Sequence, residues 1–164
     1  MINTTFTKTQ KLTVSGLAMA SFIVILYATQ GFSFGAYQIR IATSLYALAY
    51  FCPFLVVPLG LANLISNMMF GGLGLLDMIG GCLVGMAATG LIVLIRRKKL
   101  NHWFVALPIV IIPGFGVASW LSVLLHMPYL PLVLSLCIGQ LIPAVCGVMI
   151  IRLTEKYTLK RSIR

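Results

Sequence analysis

The chain has very few acidic residues. Two Asp and Glu stand against 12 Lys and Arg, so the net charge of the 164 residues is +10 at pH 7. Charged residues make up 9% of the chain and hydrophobic residues 60%. Soluble domains typically carry about 25% charged residues, so this composition is not typical of a soluble protein. Such a positive charge on a soluble protein would indicate nucleic-acid binding. Here the cations flank long apolar runs, which is typical of the loops between membrane helices. We therefore predict one integral membrane domain over residues 1–164, in contact with the lipid bilayer and without a nucleic-acid partner.

The motifs of common enzymes and ATPases are also missing. The sequence contains no G-x-x-x-x-G-K-[ST], so ATP cannot bind through a P-loop, and it contains neither H-E-x-x-H nor G-x-S-x-G. Its two histidines, His102 and His126, are predicted to lie on opposite sides of the membrane, and its four cysteines show no C-x-x-C spacing, which disfavours a metal centre. We expect a protein that is not an enzyme and holds no cofactor or metal. Because no row of buried acids could relay protons, uphill transport would need energy from a partner.

The basic residues are sorted into three clusters. Lys8 and Lys11 precede the first apolar run, four cations occupy residues 96–99, and five lie in residues 152–164. Cytoplasmic loops of membrane proteins collect Lys and Arg, so the three clusters should share one side of the membrane. Arg40 is the only cation outside them and needs a separate explanation.

The apolar runs predict six transmembrane helices at about residues 12–30, 41–51, 54–69, 75–95, 103–125 and 130–153. Pro53 divides the run from 41 to 70, because proline removes a helix hydrogen bond and disfavours helix at the preceding residue. Five spans would place residues 96–99 outside, away from the N-terminal lysines. We therefore predict an all-α multi-pass protein of the plasma membrane, with six helices and both termini cytoplasmic.

Six polar residues are predicted to lie toward the outer side of this bundle: Gln38, Arg40, Asn63, Asn67, Asp77 and Gln140. Aromatic residues interleave with them, namely Phe32, Phe34, Tyr37, Tyr46 and Trp120. Polar groups at membrane depth usually face a cavity or each other. Amides both donate and accept hydrogen bonds, and aromatic rings offer faces for stacking. The combination predicts a site for a small planar heteroaromatic solute, with Phe34, Tyr37 or Trp120 stacking on it.

Each polar residue also has a simpler interpretation. Arg40 could extend toward the lipid headgroups, and Asp77 could favour the positive end of a helix dipole. Asn63 and Asn67, spaced i and i+4 on one helix face, could bond only to a neighbouring helix. Residues 31–37 hold two glycines and three aromatics, and they could form a gate or an ordinary interfacial loop.

Small residues recur at four-residue spacing, which lets helix backbones approach closely in lipid. Gly81 and Gly85 form one such pair in the predicted fourth helix, and Gly16 and Ala20 another in the first. Either pair could serve internal packing or docking onto another membrane protein. The better docking candidate is the start of the first helix, with Gly16, Ala18, Ala20 and Ser21.

Three segments resemble the QueT family of transporters. Residues 33–40, SFGAYQIR, resemble its Q-x-R segment after the first helix, here Gln38 and Arg40. Residues 62–67, ANLISN, and 71–77, GGLGLLD, resemble its N-x-x-x-N-like helix end and its Gly-rich turn with Asp. Gly139 and Gln140 fall where the family carries Gly-Glu. The resemblance covers most of the chain.

This resemblance implies the substrate-binding (S) component of an energy-coupling factor importer. Such a component has six helices with both termini in the cytoplasm and captures its solute outside. It then associates, through its first helix, with a transmembrane coupling subunit and two ATPase subunits, which hydrolyse the ATP. The solutes that the family implies are queuosine precursors, which are 7-deazaguanine bases.

The site departs from the family pattern at two positions, where Thr43 and Gln140 replace acids. Asp77 is left as the acid that could accept N–H bonds from a guanine-like edge or pair with an aminomethyl cation. Two alternatives remain open. One is an S component for another small heterocycle or vitamin, and the other is a stand-alone channel or exchanger that works as an oligomer.

Overall fold

The computed structural model describes residues 6–33, 38–71 and 73–162, with side chains up to residue 157. Six helices account for most of this part of the chain, and it contains no strand. They are helix 1 (Lys8–Ala28), helix 2 (Ile41–Tyr50), helix 3 (Pro53–Gly71), helix 4 (Leu75–Arg97), helix 5 (His102–Leu124) and helix 6 (Tyr129–Ser162). The all-α prediction is confirmed.

Five of the six helices are long and apolar enough to cross a membrane, and helix 2 is a shorter apolar helix. Large apolar side chains also cover the outside of the bundle. Leu17, Leu83 and Leu134 are each more than 60% exposed, as expected of surfaces that face lipid tails, which are as apolar as leucine. The chain is a multi-pass membrane protein.

The helix ends differ from those predicted from hydropathy. Helix 1 begins at Lys8 because Thr7 and Gln10 form a capping box: Gln10 N donates to Thr7 Oγ1 (3.3 Å), and Thr7 N donates to Gln10 Oε1 (3.0 Å). Helix 6 continues to Ser162, well past the predicted end at residue 153. Apolar runs mark the part of a helix suited to hydrocarbon, whereas backbone hydrogen bonding continues into the polar flank.

Helix 2 is a 3-10 helix rather than the predicted α-helix. Its ten residues span about 20 Å at the ~2.0 Å rise of this geometry, against about 15 Å for an α-helix. The helix contacts helices 1, 4 and 6, and Ala42, Ala47 and Ala49 are completely buried. Packing on several sides thus holds an extended geometry that rarely persists for ten residues.

The end of helix 2 is capped by a side chain from helix 4. Arg96 Nη1 lies 2.6 Å from the carbonyl oxygen of Tyr50 and 2.8 Å from that of Phe51. These carbonyls lie where the chain turns into Pro53, which has no N–H to donate and cannot continue the hydrogen-bond ladder. A basic side chain that donates to terminal carbonyls stabilises a helix end.

The basic clusters lie at one end of the bundle. Lys11 Nζ is 6.0 Å from the ring centroid of Phe54, beside the turn that Arg96 caps. The Arg152 guanidinium is 4.9 Å from the ring centroid of Trp103, which follows the loop after helix 4. The first helix, the Pro53 turn, this loop and the tail therefore meet at the same end, as the charge pattern predicted.

The two small-residue pairs have different surroundings. A Cβ added at Gly85 would lie 3.3 Å from the Cα of Gly60, so helices 3 and 4 approach closely there and the pair in helix 4 serves internal packing. On helix 1, Gly16 and Ala20 are exposed, and nothing lies within 4 Å of a Cβ at Gly16. Ala18, predicted with them as a docking residue, is only 5% exposed and packs into the core. Ser21 is partly buried.

Candidate functional site

Arg40 is the centre of a buried hydrogen-bond network. Its side chain is 5% exposed; Nη1 donates to Asn63 Oδ1 at 3.0 Å and Nη2 donates to Asn67 Oδ1 at 2.7 Å. Each amide also donates to the helix 4 backbone, Asn63 to the Gly81 carbonyl at 2.7 Å and Asn67 to the Asp77 carbonyl at 2.9 Å. The two helix 3 asparagines therefore join Arg40 to helix 4, and the guanidinium does not extend toward headgroups.

The close approach of helices 3 and 4 depends on Gly81. A Cβ at this position would collide with Asn67 Nδ2 and would lie 3.3 Å from Asn63 Nδ2. Asn67 also begins the π-helical turn Asn67–Gly71 that ends helix 3, a geometry found frequently at functional sites. Glycine on one helix and a widened turn on the other thus make room for the amides.

Asp77 and Trp120 form a second part of the network. Trp120 Nε1 donates to Asp77 Oδ1 at 3.0 Å, and Asp77 is only 4% exposed. The Trp120 ring lies against Gly80, where a Cβ would be 2.9 Å from the ring carbons. The structure therefore places this indole as a donor to the acid, and not in the wall of the cavity described below.

Thr43 and Gln140 join helix 2 to helix 6. The Thr43 hydroxyl lies 2.8 Å from Gln140 Oε1 and 2.7 Å from the carbonyl oxygen of Arg40. Gln140 Nε2 donates to the carbonyl oxygen of Gln38 at 3.4 Å. Thr43 is 2% exposed and Gln140 also 2%, so this contact closes the centre of the bundle.

These groups surround a small cavity with both polar and apolar lining. Its volume is about 10 Å³, which is close to the space that one water molecule needs. The polar residues that line it are Gln38, Arg40, Thr43, Tyr46, Asn63 and Gln140; the apolar ones are Val84, Pro113, Val117 and Leu136. In this conformation the site is closed around its own hydrogen bonds, and a heterocycle would have to displace some of them.

The 3-10 geometry of helix 2 determines which side chains reach the cavity. With three residues per turn, side chains at i, i+3 and i+6 lie in line. Arg40, whose carbonyl accepts the first hydrogen bond of helix 2 from Thr43 N, has this spacing with Thr43 and Tyr46, and all three line the cavity. In an α-helix the three side chains would diverge by about 60° per step.

Tyr46 is the functional candidate that the sequence did not single out. It stood among the interleaved aromatic residues, and its hydroxyl had no predicted role. The residue is completely buried, and Oη has no hydrogen-bond partner among the described residues. Its ring stacks on Phe22 of helix 1, with centroids 5.7 Å apart and planes at 11°. The three-residue spacing from Arg40 would have identified it, had helix 2 been recognised as a 3-10 helix.

The structure brings together seven of the nine predicted site residues, namely Gln38, Arg40, Asn63, Asn67, Asp77, Gln140 and Trp120. Phe34 and Tyr37 lie outside the described residues, as does most of the predicted gate. The described residues on either side of the gate segment are joined by a hydrogen bond, which Ile39 N donates to the Phe32 carbonyl at 3.0 Å.

A search against protein-family models matches the model described as QueT transporter to residues 12–156. The matched range includes every residue of the network from Gln38 to Gln140. A search of curated proteins gave no match, and a search of solved structures gave none.

Proposed function

The chain belongs to the QueT transporter family, and we propose on this basis that it is the S component of an energy-coupling factor importer that captures a 7-deazaguanine base, a queuosine precursor. The observation that carries the proposal is the buried Arg40 network, which lies at the end of the bundle opposite to the basic clusters. Structural packing alone does not need a guanidinium and two amides at membrane depth, where polar groups are costly.

The chemistry of the cavity fits a guanine-like edge. Arg40 and the Tyr46 hydroxyl can donate to a ring carbonyl, while amide oxygens such as that of Gln140 can accept from ring and exocyclic N–H groups. Asp77 lies behind this layer and supplies the counter-charge. The solute would replace the Thr43–Gln140 contact and the bond from Gln140 to Gln38.

The proposed orientation follows from the charges. With the basic end in the cytoplasm, helix 2 becomes a full crossing, six spans result, and the Arg40 network faces the outer side. Single cysteines at Lys98 and Met127, both exposed, test this topology with an impermeant thiol reagent on intact cells, measured above the background of the native cysteines. We expect labelling at 127 and none at 98; the reverse pattern would overturn the topology.

The proposed energy source is a coupling subunit with two ATPases, docked on the exposed face of helix 1 around Gly16 and Ala20. Helix 1 also contacts the cavity wall, because Phe22 stacks on Tyr46. Helix 1 would therefore connect the docking face with the solute site.

The decisive experiment is a binding panel on the purified protein in nanodiscs, with 7-deazaguanine bases, guanine and several vitamins. We expect tight binding of a 7-deazaguanine base without partners, and uphill uptake only when the coupling subunit, the ATPases and ATP are present. If a vitamin binds more tightly than any 7-deazaguanine base, the proposed solute is wrong and the protein is an S component for that vitamin. Flux into liposomes without partners would instead identify a stand-alone channel or exchanger.

A further inference from the structure

The whole chain contains only two acids, Asp77 and Glu155. Glu155 lies near the end of helix 6, where its carboxylate is 3.2 Å from His102 Nε2. It is 15 residues from Gln140 along one helix, or about 22 Å at the α-helical rise. Of the two acidic side chains, only that of Asp77 therefore lies near the cavity.

Asp77 is already engaged. Its Oδ1 accepts from Trp120 Nε1 at 3.0 Å, and its backbone carbonyl is bridged to Arg40 through Asn67. Asp77 does not line the cavity, whereas Arg40 does. The two buried charges offset each other within the network, and among the described residues that line the cavity Arg40 is the only charged one.

A cationic solute would meet unfavourable electrostatics in this site. A charge at membrane depth or in a low-dielectric cavity needs a counter-charge to offset its desolvation. Thr43 and Gln140 offer a hydroxyl and an amide at the helix 2–helix 6 contact, which are dipoles without charge. An uncharged solute can use these dipoles and leaves the balance between Arg40 and Asp77 intact.

We propose that this protein selects an uncharged planar base and discriminates against the same base with a cationic substituent. The proposal rests on the proposed function and narrows its solute class. Thr43 and Gln140 are the residues that determine the preference, because they place uncharged polar groups in the cavity wall. Asp77 acts as the counter-charge of Arg40 and does not bind an aminomethyl cation.

The test compares 7-cyano-7-deazaguanine, which is neutral, with 7-aminomethyl-7-deazaguanine, which is a cation at pH 7. We expect the cation to bind about 100-fold more weakly, on the scale of the cost of a lone charge at membrane depth. Gln140→Glu places a carboxylate in the cavity wall and should reduce this difference at least about tenfold. Gln140→Met is the matched control. It keeps the length of the side chain without adding a charge, and it should weaken the binding of both bases without favouring the cation.

The outcomes separate the two proposals. Equal or tighter binding of the cation to the unmodified protein overturns the charge preference and leaves the S-component function standing. A Gln140→Glu protein that folds, as judged by an unchanged melting temperature and a monodisperse elution profile, but keeps the original ratio, also overturns it. Absence of binding by both bases refutes the solute class, and this inference with it.

Discussion

Replacing Tyr46 with phenylalanine is expected to move protein stability and solute affinity in opposite directions. The hydroxyl is completely buried and has no hydrogen-bond partner among the described residues, yet it lies in the wall of the cavity. Burial of an unpaired hydroxyl is unfavourable, whereas a solute carbonyl would give it a partner. The substitution removes this atom and leaves the ring stacked on Phe22.

The magnitudes follow from these contacts. Without solute, the variant should be more stable by about 1 kcal/mol, at the low end of the penalty for an unsatisfied buried hydroxyl. With solute, it loses one neutral hydrogen bond, worth about 0.5–1.5 kcal/mol, which is about a 2- to 13-fold loss in affinity. The hydroxyl packs closely against helix 4, since a Cβ at Gly85 would lie only 2.9 Å from Oη. The ring therefore has little room to rearrange.

Thermal unfolding in detergent and isothermal titration in nanodiscs measure the two quantities on the same preparation. Tyr50→Phe is the matched control, since it removes the same atom from the last residue of helix 2, which lies next to Arg96 and does not line the cavity. It should leave solute affinity unchanged. A Tyr46→Phe protein that is destabilised by more than 1 kcal/mol, or that binds solute as tightly as the unmodified chain, would refute the assignment of this hydroxyl to the site.

Three further predictions concern packing and assembly. Gly81→Ala should destabilise the protein by about 1–3 kcal/mol through overpacking, measured by thermal unfolding, and it should abolish solute binding. The control is Gly90→Ala in the same helix, where nothing lies within 4 Å of a Cβ; this variant should be as stable as the unmodified chain or more stable. Arg96→Gln should cost about 1.5–3 kcal/mol by removing the cap of helix 2; a loss no larger than that of Arg97→Gln, at an exposed position, would contradict the capping role. Ala20→Leu should block copurification with the coupling subunit and leave solute binding unchanged, and normal assembly would argue against docking at this face.

Much of the site could be predicted from the sequence because buried polar residues are rare in an apolar chain. Arg40, Asn63, Asn67, Asp77 and Gln140 were identified by their cost in a membrane, and the structure places them in one network. Their partners could not be predicted in the same way. An arginine near a helix start is compatible with headgroup contact as well as burial, and only the positions of neighbouring helices decide between them.

The properties that depend on summed local chemistry follow from the sequence alone. Hydropathy specified membrane helices, the absence of a proline N–H specified the break at Pro53, and the placement of Lys and Arg specified which ends of the bundle lie together. These effects act residue by residue and need no knowledge of the neighbours. Four features depend instead on how the helices pack together: the 3-10 geometry of helix 2, the burial of Ala18, the pairing of Asp77 with Trp120 and the position of Tyr46 in the cavity wall. Since hydrogen bonds are poorer in a 3-10 helix than in an α-helix and long 3-10 helices are uncommon, packing from several sides is what holds this geometry over ten residues, and with it the side chains that form the site.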